Sequence, residues 1–376
     1  MLEAVVLVAV GLLAYANGAN DNFKGVATLY GSGTTGYRGA VVWATLTTLA
    51  GALAAALLAG RLTAIFSGKG LVPDALTGDP RFLVAAGTGA AGAVLVATRA
   101  GLPVSTTHAL LGGLLGAGFA AARGTANGGV NVASLGRLFV LPLAASPLLA
   151  LAATRLAYPL LRSARLRLGV KREMCLCLGG EVEPVSLGPG GAAAVRRTGV
   201  GLSVKELSAC RERYVGTVLG FDARRVLDRV HFLSAGAVGF ARGMNDAPKI
   251  LAILVAARLL GPGPGLALVA LVMAAGGLFG ARRLAETLAH RITAMNHGQA
   301  FTANAITALL VLAASRSGLP VSTTHVAVGA LAGIGIATGQ ARWRTIATIG
   351  LAWVTTLPVA AALGAGAYAV ALRLAC

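Results

Sequence analysis

Gly101-Leu102-Pro103-Val104-Ser105-Thr106-Thr107-His108 occurs twice in this chain. The second copy, residue for residue, is Gly318-Leu319-Pro320-Val321-Ser322-Thr323-Thr324-His325. An identical eight-residue block in two halves of one chain marks an internal repeat. Glycine ends what precedes it, and proline suits the first turn of a new helix. Serine and threonine are helix N-cap residues. Small apolar runs follow, at 109–122 and 326–337. Each block therefore predicts a new helix whose N-terminus carries three hydroxyls, free backbone N–H groups and the positive end of the helix dipole. That combination favours an anion. Capping alone would account for one such copy in a soluble protein; two identical copies in a membrane point to a site.

The membrane setting follows from composition. Of 376 residues, 56% are hydrophobic and only 12% charged, against roughly 25% charged in soluble domains. The mean hydropathy is +0.77. Apolar stretches of ~18–25 residues recur, enough to cross a hydrocarbon core of ~30 Å, and the 52 glycines suit helices that pack closely in lipid. The net charge of +19 lies mostly in loops and at helix ends, as the positive-inside rule requires. With no aromatic-interleaved basic patch, this charge does not indicate nucleic acid. Met1 to Val5 has no basic leader and reads as the start of a span. Cys175, Cys177, Cys210 and Cys376 have poor zinc spacing and read as reduced thiols. No metal site or cofactor is expected.

Taken in order, an apolar run over about 4–30 is interrupted by Asn17-Gly18-Ala19-Asn20-Asp21-Asn22-Phe23-Lys24. Spans follow at about 39–60 and 82–98, then the first hydroxyl block and its helix, a Gly/Asn loop at 125–129, and a span at about 132–161. Residues 162–229 are charged and punctuated by Gly and Pro, with a short strand expected at 174–178 and a short helix at 205–213. The second half repeats the order. A span at 233–257 holds Asn245-Asp246 with Lys249 three residues on, as Lys24 follows Asp21. Spans at about 264–285 and 300–315, the second block, and a span at about 345–372 complete it. The expected organisation is a first transmembrane repeat (1–161), a basic cytoplasmic loop (162–229) and a second transmembrane repeat (230–376). The fold class is an all-α polytopic membrane protein with about ten to twelve segments. Five elements per half place the halves in inverted orientation with broken or re-entrant helices, an arrangement common in secondary transporters. The N-terminus is then outside and the chain resides in the cell (inner) membrane.

Inversion would gather Asn20, Asp21, Lys24, Ser105, Thr106 and Thr107 with Asn245, Asp246, Lys249, Ser322, Thr323 and Thr324 at the membrane centre. Hydroxyls and helix-end amides donate to a tetrahedral oxyanion, and lysines neutralise it. The aspartates can hold a cation, carry a proton, or accept the O–H of a protonated oxyanion. Phosphate has such an O–H at neutral pH and sulfate has none, so a buried carboxylate favours phosphate. His108 and His325 follow the hydroxyls directly. They are either a proton relay or, the plainer reading, structural hydrogen-bonding groups.

These motifs, the Gly-Ala-Asn-Asp interruption (repeated as Gly243-Met244-Asn245-Asp246) and the duplicated Gly-x-Pro-x-Ser-Thr-Thr-His block, together with Arg283 to Thr293, resemble the inorganic phosphate transporter (PiT) family. The resemblance spans nearly all of the chain except the central loop. It implies a phosphate symporter with an inverted-repeat fold, a homodimer, with the Asn-Asp and Ser-Thr-Thr residues lining phosphate and cation sites. The chain departs from the family pattern where Lys24 and Lys249 stand in place of asparagine. An ammonium there can occupy the place of a sodium ion, which predicts proton coupling or simple exchange with weak sodium dependence. A permease for sulfate or another oxyanion, or an uncoupled anion channel, are the alternatives. A hydrolase would not need its Asp, Ser and His groups in mirrored duplicate, and no nucleotide-binding Gly-x4-Gly-Lys motif is present.

Overall fold

The computed structural model describes residues 2–58, 60–122, 130–167, 174–187, 192–206, 219–290 and 295–373. Both halves of the sequence fold into one compact unit, Met1–Tyr158 with Phe232–Cys376, while Pro159–His231 forms a second. Seven helices of the described residues are long and apolar enough to cross a bilayer. They are α1 (Leu2–Asp21) with the turn that follows it, α3 (Tyr37–Leu58), α6 (Pro80–Arg99), the continuous run of α8 (Val132–Leu135) and α9 (Leu141–Arg167), α11 (Pro262–Gly280), α13 (His297–Ser317) and α15 (Trp343–Arg373). Short helices α2 (Ala27–Gly31), α4 (Gly60–Ile65), α5 (Asp74–Thr77) and α12 (Arg282–His290) connect them. The long helix α10 (Ala223–Ala256) carries the second Asn-Asp pair.

The two hydroxyl blocks do start new helices. α6 ends at Arg99, Gly101 takes φ +69°, residues 102–105 are neither helix nor strand, and α7 (Thr106–Ala122) begins. α13 likewise ends at a left-handed cap, Gly318 with φ +74°, before α14 (Thr323–Thr338). Glycine holds this conformation without Cβ strain. With 17 and 16 residues, α7 and α14 run roughly 25 Å at 1.5 Å per residue, short of a full crossing.

The two Asn-Asp stretches differ. After Asp21 the chain tightens into a 3₁₀ turn at Asn22–Lys24 before α2, so the expected break is present in the first half. In the second half α10 runs on through Asn245, Asp246 and Lys249 with Pro248 inside it, which corrects the expectation of a broken helix there. Proline removes one backbone donor but need not stop a helix that neighbours support.

Small residues set the helix spacing. A Cβ at Gly116 of α7 would overlap the carbonyl of Ala361 in α15, one at Gly113 would overlap that of Ala86 in α6, and Gly89 faces Gly364. On the other side, Gly276 of α11 sits against the carbonyl of Tyr15 in α1. Backbones in contact through glycine are how helices adhere where lipid offers no hydrophobic drive. Two apolar clusters result, one including Leu13, Phe82, Leu110 and Ile250, the other including Phe23, Leu29, Leu284 and Ile334.

The second unit is not helical throughout, as the strand expected there implies. It contains an antiparallel sheet of order β2-β1-β3, with β1 Met174–Leu187, β2 Ala192–Glu206 and β3 Leu219–Asp222. The expected strand at 174–178 is the start of β1. Of the expected helix at 205–213, Lys205 and Glu206 lie in β2 and the remainder is outside the described residues, as are the loop at 125–129, Cys210 and Cys376. Valines at 182, 185, 195, 200 and 204 suit a strand better than a helix.

Gly116→Val is expected to lower stability by about 1–3 kcal/mol through overpacking against α15. A thermal unfolding curve in detergent checks this; an unchanged midpoint would mean that α7 and α15 are not held in backbone contact.

Candidate functional site

The residues that are hardest to bury in lipid lie together in the membrane unit. Asn17, Asn20, Asp21, Lys24, Arg242, Asn245, Asp246 and Lys249 are all buried, as are Ser105, Thr106, Thr107, Ser322, Thr323 and Thr324. Charges at membrane depth persist only when paired and facing protein or a wet cavity, and here each charged group has partners.

The arrangement is mirrored. The Lys24 ammonium donates to the Asp21 carboxylate, to the Thr324 hydroxyl and, at 2.8 Å, to the Val104 carbonyl. The Lys249 ammonium donates to Asp246 (3.3 Å), to the Thr107 hydroxyl (2.8 Å) and to the Val321 carbonyl (2.8 Å). Lys24 thus takes its carboxylate and carbonyl from the first half and its hydroxyl from the second, and Lys249 does the reverse. Three donors meet three acceptors, which saturates the ammonium. The hydroxyls close the motif, because Thr324 donates to the Val104 carbonyl (2.8 Å) and Thr107 to that of Val321 (3.3 Å). Lys249 also lies 5.6 Å from the centre of the Phe66 ring, within cation–π range.

The asparagines act as brackets. Asn20 donates to Thr98 (2.9 Å) and the Leu102 carbonyl (3.1 Å) and accepts from the Val104 N–H (3.2 Å). Asn245 donates to Asp246 (2.8 Å) and the Val321 carbonyl (3.2 Å) and accepts from Ser315 (3.2 Å). Both hold the hydroxyl blocks against the helix that carries them. Ser105 and Ser322 accept the N–H groups of His108 (3.2 Å) and His325 (3.3 Å) as N-caps. Thr106 donates to Asp21 (3.1 Å), whereas Thr323 makes no side-chain hydrogen bond among the described residues.

The sequence motifs do not point to two further members of the cluster. Arg242 stands four residues before Asp246, and Asn17 four before Asp21. The Arg242 guanidinium donates to Asn22 (3.0 Å), Thr48 (3.1 Å) and the Asn17 side chain (2.7 Å), and lies 3.8 Å from Asp246. The Asn17 amide reaches Asp21 (3.1 Å), Thr106 (3.1 Å) and Asp246 (3.3 Å), bridging the two carboxylates. Aligning the two halves four residues before each aspartate exposes this asymmetry, an amide in one and a guanidinium in the other. Three cations face two carboxylates, which leaves the cluster one positive charge in excess.

His108 and His325 come together from the two halves with ring centres 4.6 Å apart, and His325 stacks on Trp353 at 3.9 Å. His325 Nδ1 is 3.4 Å from the Leu143 carbonyl. Neither ring is hydrogen-bonded to the lysine–aspartate cluster among the described residues. Of the other stretch with family likeness, Arg283 donates to the Arg99 carbonyl at the end of α6 (2.9 Å).

The family model described as the phosphate transporter family matches residues 17–364, from Asn17 through both hydroxyl blocks to α15. This chain belongs to the phosphate transporter family. The family is one of transporters rather than enzymes, and the seven spans make its member here an integral membrane protein. A protein of Pyrococcus abyssi named as a putative phosphate permease is 29% identical over 94% of each chain. The chloroplastic inorganic phosphate transporter 2-1 of Arabidopsis thaliana is 28% identical, covering 93% of this chain and 69% of its own. Among solved structures, one titled the sodium-dependent phosphate transporter superposes with a TM-score of 0.75 and 23% identity over 99% of both chains, which establishes the shared fold.

Lys24→Met strips Asp21 of its cation and the Val104 carbonyl of one donor, and is expected to cost about 3–5 kcal/mol. Pairing it with Asp21→Asn should recover most of that loss. A double-mutant cycle on thermal unfolding reads the coupling, and additive losses would show that the pair is not a unit. Arg242→Gln, which keeps some hydrogen bonding but removes the excess charge, should fold and yet lower the affinity for an anionic substrate about tenfold or more, measured by uptake against concentration.

Proposed function

We propose that this protein is a secondary transporter moving inorganic phosphate across the cell membrane by alternating access. The observation that carries this reading is the mirrored Lys–Asp–Thr interlock, buried between the two hydroxyl blocks in a chain of the phosphate transporter family. A monoanion such as dihydrogen phosphate complements the single excess positive charge. Thr106, Thr107 and Thr324 turn their hydroxyl protons to its oxygens from the Asp21, Val321 and Val104 oxygens that otherwise accept them. Asp21 and Asp246 accept its O–H groups, which sulfate lacks, and the carboxylates then repel sulfate.

The lysines replace a bound cation in this reading. Each ammonium is held by one carboxylate, one backbone carbonyl and one hydroxyl. That all-oxygen set is the kind a hard metal cation takes, and an ammonium already fills it. Transport is therefore proton-coupled or exchange-driven, with weak dependence on sodium. The solved structure of similar fold is of a sodium-dependent transporter, so the coupling ion is where this chain departs. Bonds from Lys24 to Thr324 and from Lys249 to Thr107 join the two halves, and alternating access breaks them in turn as inverted repeats rock about the site. The protein works as a homodimer in the inner membrane with its basic central loop in the cytoplasm.

Uptake of radiolabelled phosphate into proteoliposomes tests the proposal. Sodium-free uptake stimulated by an inward proton gradient and unaffected by excess sulfate is expected. Uptake that requires sodium would overturn the coupling assignment, and sulfate uptake in place of phosphate would overturn the substrate. Asp246→Asn, which can donate as well as accept, should narrow the preference for phosphate over sulfate about tenfold or more.

A further inference from the structure

The lysine–aspartate cluster is uneven in a way that its mirrored hydrogen bonds conceal. Among the described residues Asp21 has one cation within ion-pair reach, the Lys24 ammonium. Asp246 has two, the Lys249 ammonium 3.3 Å from Oδ1 and the Arg242 Nε 3.8 Å from Oδ2. The surplus positive charge of the cluster therefore lies at Asp246. It bears on a carrier that works by alternating access, the reading on which this inference rests. Loaded with a monoanion, the cluster is neutral. Empty, it holds one unbalanced positive charge. An unbalanced charge closed off from water is so costly that the ionisable group gives up its charge instead. A bound metal cation can leave with the substrate, but a side chain cannot, so the empty site sheds a proton.

The charged and titratable groups that face the two ammoniums are Asp21, Asp246, Arg242, His108 and His325. Arg242 is not the source of the proton, because a guanidinium does not deprotonate in proteins. A proton gained by an aspartate or a histidine adds to the surplus. The two lysines remain, since a buried ammonium is the cation that can become neutral. Without its proton Lys24 leaves Asp21 with no ion-pair partner. Without its proton Lys249 leaves Asp246 still paired with Arg242. The hydrogen bonds survive as well. A neutral amine donates two and accepts one, so Lys249 Nζ keeps the Asp246 carboxylate and the Val321 carbonyl as acceptors. The Thr107 hydroxyl, 2.8 Å away, turns its proton from the Val321 carbonyl to the nitrogen.

We propose that Lys249 carries the coupling proton. It is an ammonium while phosphate is bound and a neutral amine while the empty site returns, and its proton leaves on the same side as the anion. A proton and a monoanion then cross together with no net charge. Arg242 makes this possible by holding Asp246 while the amine is neutral.

The test uses the full-length protein in proteoliposomes with an entrapped pH dye, at an acidic pH where phosphate is a monoanion. A potassium gradient with valinomycin sets the membrane potential. Wild-type uptake of radiolabelled phosphate is expected to bring in a proton with each anion and to be indifferent to the potential. Lys249→Gln keeps two donors and an acceptor but has no charge to shed, so its empty site is neutral and its loaded site negative. Its uptake should lose the stimulation by an inward proton gradient and become faster with the vesicle interior positive. Lys249→Arg holds its proton permanently. It should lose about tenfold more of net uptake than of phosphate–phosphate exchange, because exchange never returns the site empty. Wild-type uptake that follows the potential without proton entry would overturn the assignment and leave transport standing, and this arm needs no variant to fold. Lys249→Gln uptake that still answers to the proton gradient, or equal losses of net uptake and exchange in Lys249→Arg, would overturn it too. Wild-type vesicles that take up no phosphate would overturn the transport reading itself, and the proposal with it.

Discussion

Two carbonyl groups, those of Val104 and Val321, set the terms for the rest of this structure. Each lies in a non-helical segment between two helices, where no intrahelical N–H can reach it. Non-helical backbone survives at membrane depth only where protein or water satisfies it. The chain answers with the same device twice: an ammonium from its own half and a threonine hydroxyl from the opposite half converge on each carbonyl. The asparagine brackets hold the same segments through further hydrogen bonds. The contacts that satisfy these blocks are therefore also contacts that join the halves.

That device also explains why charges can be kept in a lipid-embedded core. An isolated buried ion is prohibitive, and a buried pair is only as good as the hydrogen bonds around it. Lys24 and Lys249 each use all three of their protons, and Asn17 ties the two aspartates together. Arg242 breaks the symmetry between the halves by placing a cation where the first half has an amide. The cluster keeps one positive charge in excess while every charge retains local partners.

Much of this architecture is legible in the order of the residues. The duplicated block announces two new helices with serine caps, and Ser105 and Ser322 cap as their residue types dictate. Clustering of Asp21, Lys24, Asp246 and Lys249 follows from the rule that membrane charges need one another. Other features are hidden because they depend on neighbours distant in sequence. The duplicated Asn-Asp interruption implies a second break at Asn245-Asp246, yet α10 continues through it and through Pro248. The strands of the central unit show in the sequence only at 174–178, because short alternating patterns are weak beside long apolar runs. Along the chain only the alignment of the two halves sets Arg242 apart, and its contacts with Asn17, Asn22 and Thr48 place it in the cluster.

By itself the sequence determined the membrane class, the internal duplication and the residue types of the site, because hydropathy, repetition and capping are local properties of the chain. The tertiary structure alone decided which half each lysine serves, since Thr324 and Lys24 are separated by most of the chain and meet only when the halves pack. It alone decided that Asn20 and Asn245 brace backbone, and that His108 and His325 from opposite halves pack ring against ring. Hydrogen-bond partnership is a property of three-dimensional proximity, and no spacing along the chain encodes it.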